Sequence, residues 1–133
     1  MGKYVDAERG LGWVRLQCSF PRNPKVLDLV GRKQYRALVA YIASLGYSGE
    51  HGLDGFVPAA ALPFLHATER DAQQLERVGL WDWAEGGWDI HDWHDYQPSS
   101  EQVAKRRAAA KSNAEARWKR QRAADLTVVP HQK

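Results

Sequence analysis

The chain has 133 residues, 19 Lys/Arg against 16 Asp/Glu, and one cysteine, which fits a single domain of about 100 residues with an appendage. No apolar run approaches the roughly 20 residues that cross a bilayer, and Met1-Gly-Lys-Tyr-Val-Asp6 lacks the apolar stretch of a secretory signal. Cys18 has no partner for an internal disulfide, so a reducing cytoplasm is the expected setting.

The charges are sorted by region. Residues 1–44 hold eight Lys/Arg and three Asp/Glu, residues 45–100 hold two and ten, and residues 101–133 hold nine and three. A basic front, an acidic middle and a basic tail are thus concealed by a net charge of +3. Clustered cations neutralise phosphates and release counterions, which makes nucleic acid the first partner to consider for the tail. The plainer alternative is a solvated, solubilising appendage.

In chain order, Trp13 to Phe20 alternate so that Val14, Leu16, Cys18 and Phe20 share one face, predicting a half-buried strand. Pro21 and Pro24 break it. Asn23 as N-cap and Pro24 as first helical residue predict a short helix over 24–30, ended by Gly31. A longer helix over about 33–45 follows, with Tyr35, Leu38, Ile42 and Leu45 as its expected buried stripe. From Gly46 to Gly55 the composition reads as a glycine-rich loop. Phe56-Val57 predicts a short strand, and Pro58 opens a helix to about Leu65. Thr68 and Asp71 form a capping pair for a helix that runs to Val78 and stops at Gly79. Leu80–Trp83 and Trp88–Trp93 flank Gly86-Gly87, predicting a β-hairpin. Pro98-Ser-Ser100 closes the domain, with a serine placed to cap a helix over about 100–124 made of Ala, Lys, Arg, Glu and Gln, all strong helix formers. So polar a helix is expected to order on a partner.

This order is that of a winged helix, an α+β fold, with 68–78 as the recognition-type helix and 80–93 as the wing. Trp13-Val-Arg-Leu16, Phe20-Pro-Arg-Asn-Pro-Lys-Val26, Gly55-Phe-Val-Pro58 and Val78-Gly-Leu-Trp81 leading into an aromatic hairpin resemble phage replisome-organiser and DnaD-like N-terminal domains. Small actinobacterial-phage helix-turn-helix proteins look similar. The resemblance covers roughly residues 11–100 and implies a winged helix acting in phage DNA replication or transcription. The expected division is an N-terminal arm (1–10), the winged-helix domain (11–98) and a basic tail (99–133).

Candidate sites follow from residue chemistry. On the recognition-type helix Arg70, Gln73, Gln74 and Arg77 form one stripe, opposite a core face of Ala72, Leu75 and Val78. Arg can read guanine edges and Gln adenine edges in the major groove. In the tail Lys105, Arg106, Arg107, Lys111, Arg117, Lys119, Arg120 and Arg122 surround most of the helix, a sequence-independent phosphate contact. The wing carries Asp82, Glu85, Asp89, Asp92 and Asp95 and no cation, so it is unsuited to phosphates. Trp81, Trp83, Trp88 and Trp93 cannot all enter a small core, and an exposed Trp patch rimmed by carboxylates reads as a protein interface, for self-association or for a host or replisome protein. Stacking on single-stranded bases is the competing use. His91 and His94 would project from opposite faces of a strand, with no Cys pair to complete a zinc site. Cys18, on the expected buried face, has no adjacent base, and 49–55 lacks the Lys of a P-loop. The sequence therefore points to a duplex-DNA-binding protein, not an enzyme, with no cofactor and no metal. The rival is a protein-interaction module centred on the hairpin.

Overall fold

The computed structural model of the chain describes residues 10–128, with side chains as far as Asp125. The expected arm, apart from Gly10, and residues 129–133 of the tail lie outside the described residues. The architecture is α+β. Helices α1 (Pro24–Gly31) and α2 (Tyr35–Glu50) are followed by strand β1 (Phe56–Pro58), a 3₁₀ helix (Ala59–Leu65) and helix α3 (Glu69–Val78). Strands β2 (Trp81–Ala84) and β3 (Gly87–Ile90), the helical turn α4 (Trp93–Tyr96) and the long helix α5 (Ser100–Val128) complete the chain. The three strands form an antiparallel sheet in the order β1-β3-β2.

Local chemistry explains the boundaries that the sequence predicts. Asn23 Oδ1 accepts from the Lys25 N–H at 2.9 Å, and Pro24 fixes the first helical φ. Thr68 and Asp71 form a reciprocal capping box, and Gly79 ends α3 at φ 83°, a conformation glycine adopts without a Cβ clash. At the hairpin, Gly87 sits so close to β1 that a Cβ there would stand 2.0 Å from the Val57 carbonyl oxygen. Only a bare backbone fits.

The core lies between α2, α3 and one face of the sheet. Leu29, Leu65, Leu75, Val57 and Trp81 are its largest fully buried apolar side chains. Two expectations about α2 are corrected here. Of the expected stripe Leu45 is buried and Leu38 half-buried, but Tyr35 and Ile42 are about half exposed, and the buried side adds Ala37, Ala40, Ser44, Ser48 and Gly49. The helix also runs straight through the expected loop to Glu50. Small residues let the helix axis approach the sheet, and their hydroxyls serve the sheet's unpaired groups. Ser44 Oγ accepts from Trp81 Nε1 at 3.2 Å, while Ser48 Oγ accepts from Gly55 N at 2.8 Å and donates to the Phe56 carbonyl at 3.0 Å. Tertiary packing thus outweighs the poor helix propensity of Gly46, Ser48 and Gly49.

The predicted strand over 13–20 is absent. Leu16 and Cys18 are exposed, contrary to the expected buried face, and Phe20–Arg22 is a 3₁₀ turn. No sheet edge receives this segment. The Gln97 side chain stands in for a strand partner, accepting from the Arg15 N–H at 3.0 Å and donating to the Arg15 carbonyl at 2.8 Å. Phe20 stacks on Tyr41 with ring centroids 5.8 Å apart. Burial, with Asp92 and Tyr96 nearby, pushes the Tyr41 phenol above its ordinary value.

The second hairpin strand also ends sooner than expected, at Ile90. Asp92 takes a left-handed conformation at φ 59° and turns the chain into α4, which buries Trp93.

Candidate nucleic-acid interface

Helix α5 carries eight Lys/Arg against Glu101, Glu115 and Asp125, the largest excess of cations on any element among the described residues. Ser99 Oγ accepts from the Gln102 N–H at 3.0 Å, and the Gln102 side chain accepts from the Ser99 N–H at 2.9 Å, a capping box that starts the helix. Asp54, from the turn after α2, adds a second cap: its carboxylate accepts from Ser100 N at 2.6 Å and from Ser100 Oγ at 2.7 Å. Ser100 and Val103 are buried against the body, and from Lys105 to Asp125 every residue is exposed. The 29 residues give a rod about 43 Å long.

All eight tail cations are exposed. At 100° per residue they leave no gap wider than roughly 80° around the axis. Lys105 makes an i,i+4 pair with Glu101 at 3.5 Å, and the Arg122 guanidinium lies 6.0 Å from the centre of the Trp118 ring. Trp118 is 60% exposed. With alanines between the cations and no apolar stripe, the helix has neither a coiled-coil seam nor a lipid-binding face. No helix among the described residues is long and apolar enough to cross a membrane.

The stripe on α3 is assembled as the spacing predicts, on the side away from buried Ala72 and Leu75, but half of it is engaged. Arg77 donates to Gln74 Oε1 at 3.0 Å and to Asp28 Oδ1 at 2.7 Å. That hydrogen bond, together with the charges of Arg77 and Arg32, holds the Asp28 carboxyl below its ordinary value. Arg70 and Gln73 remain exposed. Arg70 lines an open polar groove with Lys33, Gln34, Arg36, Thr68 and Asp71, where Arg36 Nε stands 3.7 Å from the Asp71 carboxylate.

The hairpin changes most against expectation. The pairs Trp81↔Ile90 and Trp83↔Trp88 put all three hairpin tryptophans on one sheet face, not on two. That face meets the core at Trp81 and in part at Trp88, but not at Trp83. Trp81 is 1% exposed and Trp93 4%, Trp88 is half-buried with its ring 5.2 Å from Trp81, and only Trp83 is exposed, at 74%. As expected, not all four tryptophans enter the core, but Trp83 alone of them is exposed, so the interface patch expected of Trp81, Trp83, Trp88 and Trp93 is not formed. A two-residue turn brings an odd and an even position together across the strands. Asp82 and Asp89 pair on the sheet face opposite to Trp83, and both are exposed, as is Glu85 in the turn.

His91 Nδ1 donates to Asp82 Oδ2 across 2.8 Å, and its Nε2 lies 3.4 Å from Asp92 Oδ1. Among the described residues no group of three or more His, Cys, Asp or Glu is placed to hold a metal ion.

What sequence reasoning missed is the role of Asp54 as the second cap of α5. Its signal was the aspartate of Gly52-Leu-Asp-Gly55, at φ 52°, a type of residue that tolerates this region and carries a ready acceptor. No family model, no curated protein and no solved structure matches the chain.

Proposed function

We propose that this chain is a duplex-DNA-binding protein whose affinity resides mainly in α5. The observation that carries the reading is the full ring of exposed cations around a helix that is exposed at every residue from Lys105 to Asp125. A flat phosphate surface could engage half of that ring at once. A groove engages both sides, and the major groove, about 12 Å wide, admits an α-helix. In that position alanines allow close approach while Lys and Arg reach the phosphates of both walls.

The body fits a winged-helix arrangement, with α3 as the recognition-type helix and β2–β3 as the wing. Arg70 and Gln73 are its available base-reading groups, and Arg77 and Gln74 become available only if Asp28 releases the guanidinium. The acidic wing is held off phosphates, which leaves selectivity secondary to the tail. By its resemblance, the role is phage DNA replication initiation or transcriptional control in the host cytoplasm.

The test is binding of the full chain to a labelled random duplex as salt is varied. With about six phosphates contacted, log K falls against log salt with a slope of about −5. Glutamine replacements at the eight tail cations abolish both affinity and slope if the reading holds. Unchanged binding would overturn it. A protein-contact function is the second reading, favoured by the apolar exposed face of α2 more than by the hairpin.

A further inference from the structure

The outward face of α2 is apolar and uncovered. Tyr35, Val39 and Ile42 are 54%, 51% and 49% exposed, and their spacing of four and three residues places them in one stripe. Gly46 extends the stripe by a further four residues, and a Cβ there would meet nothing within 4 Å. Beside it, Trp13 and Phe64, 72% and 71% exposed, line an open groove with Ala43, Gly46 and Tyr47. Isolated exposed apolar residues are ordinary, but a contiguous set of this size with three aromatics, Tyr35, Trp13 and Phe64, marks a contact surface.

The charges on α2 identify the occupant. The helix has two charged residues only, Arg36 in its first turn and Glu50 at its last position. Fourteen positions separate them, which is about 40° short of four whole turns. Both therefore border the same apolar stripe, one at each end, with side chains 71% and 74% exposed. The positive end is reinforced by Lys33 and Arg70 around the neighbouring groove.

A face with a cation at one end, a carboxylate at the other and apolar residues between is complementary to itself when reversed. We infer that two copies of the chain associate through α2, antiparallel about a two-fold axis near Ala43. Arg36 of each copy then faces Glu50 of the other, and Val39 of each falls opposite the level of Gly46 and Tyr47, beside the slot between Trp13 and Phe64. Pairing is isologous and closes at two subunits. The apolar centre supplies affinity, and the end charges fix the antiparallel direction. A parallel pair would set Arg36 against Arg36 and Glu50 against Glu50.

This inference is independent of DNA binding. The test is the mass of the full chain by light scattering and sedimentation across a concentration series, without nucleic acid. Wild type is expected to be a dimer, and Ile42→Glu a monomer with an unchanged circular dichroism spectrum. Arg36→Glu and Glu50→Arg are each expected to weaken the dimer about tenfold, by placing like charges at the ends. The double variant, Arg36→Glu with Glu50→Arg, is expected to recover the wild-type dimer, an outcome that a merely structural role for either residue would not give. A wild type that stays monomeric at its solubility limit would overturn the inference, as would a dimer indifferent to both Ile42→Glu and the single reversals.

Discussion

Asp28 illustrates how one side chain connects stability to the candidate recognition surface. Its carboxylate accepts from Arg77 and lies 3.3 Å from Arg32 Nε, and its folded pKa is below the ordinary 3.8. The stabilisation is present above that ordinary value and is lost as pH falls through the lower folded value. Urea titrations at descending pH are therefore expected to show an acid-limb loss of stability that Asp28→Asn lacks. The surface position and salt screening keep the effect small. A wild type and variant with identical acid limbs would remove Asp28 from the account. Gly87 sets a harder limit. A Cβ there meets backbone on three sides, the Val57 oxygen, Ala59 N and Pro58 Cα, and Gly87→Ala is expected to cost about 1–3 kcal/mol or more in the same titration.

At the scale of elements, the parts readable from sequence are those whose signals are local. The α3 helix is announced by Thr68, Asp71 and Gly79, and the hairpin by Gly86-Gly87 between aromatic strands. Helix α3 stands where expected, and so does the hairpin, although its second strand ends at Ile90 and not Trp93. Thr68→Ala is accordingly expected to cost about 1 kcal/mol by thermal or urea unfolding. The misread parts depend on distant partners. Alternation over Val14, Leu16, Cys18 and Phe20 suggested a strand, yet strand pairing needs a free edge, and the neighbour that this segment meets is the Gln97 amide. Ser44, Ser48 and Gly49 are weak helix formers that become helical because Trp81, Phe56 and Trp93 lie against them. Alternation counted within each hairpin strand likewise hid the shared face of Trp81, Trp83 and Trp88, which only the register discloses. Among the contacts that distance concealed, Asp54 on Ser100 has a direct test. Asp54→Ala is expected to raise amide hydrogen exchange in the first turn of α5 while leaving α3 protected. Equal protection in the variant would show that the Ser99–Gln102 box suffices.

Over the whole molecule, the sorting of charge gives the parts different tasks. The middle of the chain, acidic in balance, folds into α3 and the three-stranded sheet, whereas α5 projects a cationic rod from a doubly capped first turn. If α2 pairs two copies, two such rods belong to one particle. Their joint binding to a long duplex then exceeds that of one rod through effective concentration. Ile42→Glu is therefore expected to weaken binding to long duplexes more than to short ones, as read by anisotropy at fixed salt. The tail's cationic character was legible in the sequence from composition alone, because exposure of Lys and Arg on an alanine helix needs no tertiary knowledge. The α2 face was not, since Tyr35 and Ile42 have the spacing of core residues, and only the buried serines on the other side show which way the helix turns. The most direct test of the central claim is the salt dependence of duplex binding by the full chain beside its variant with the eight α5 cations changed to Gln. The account predicts a slope of about −5 for the former and negligible binding for the latter; equal affinities and equal slopes would contradict it.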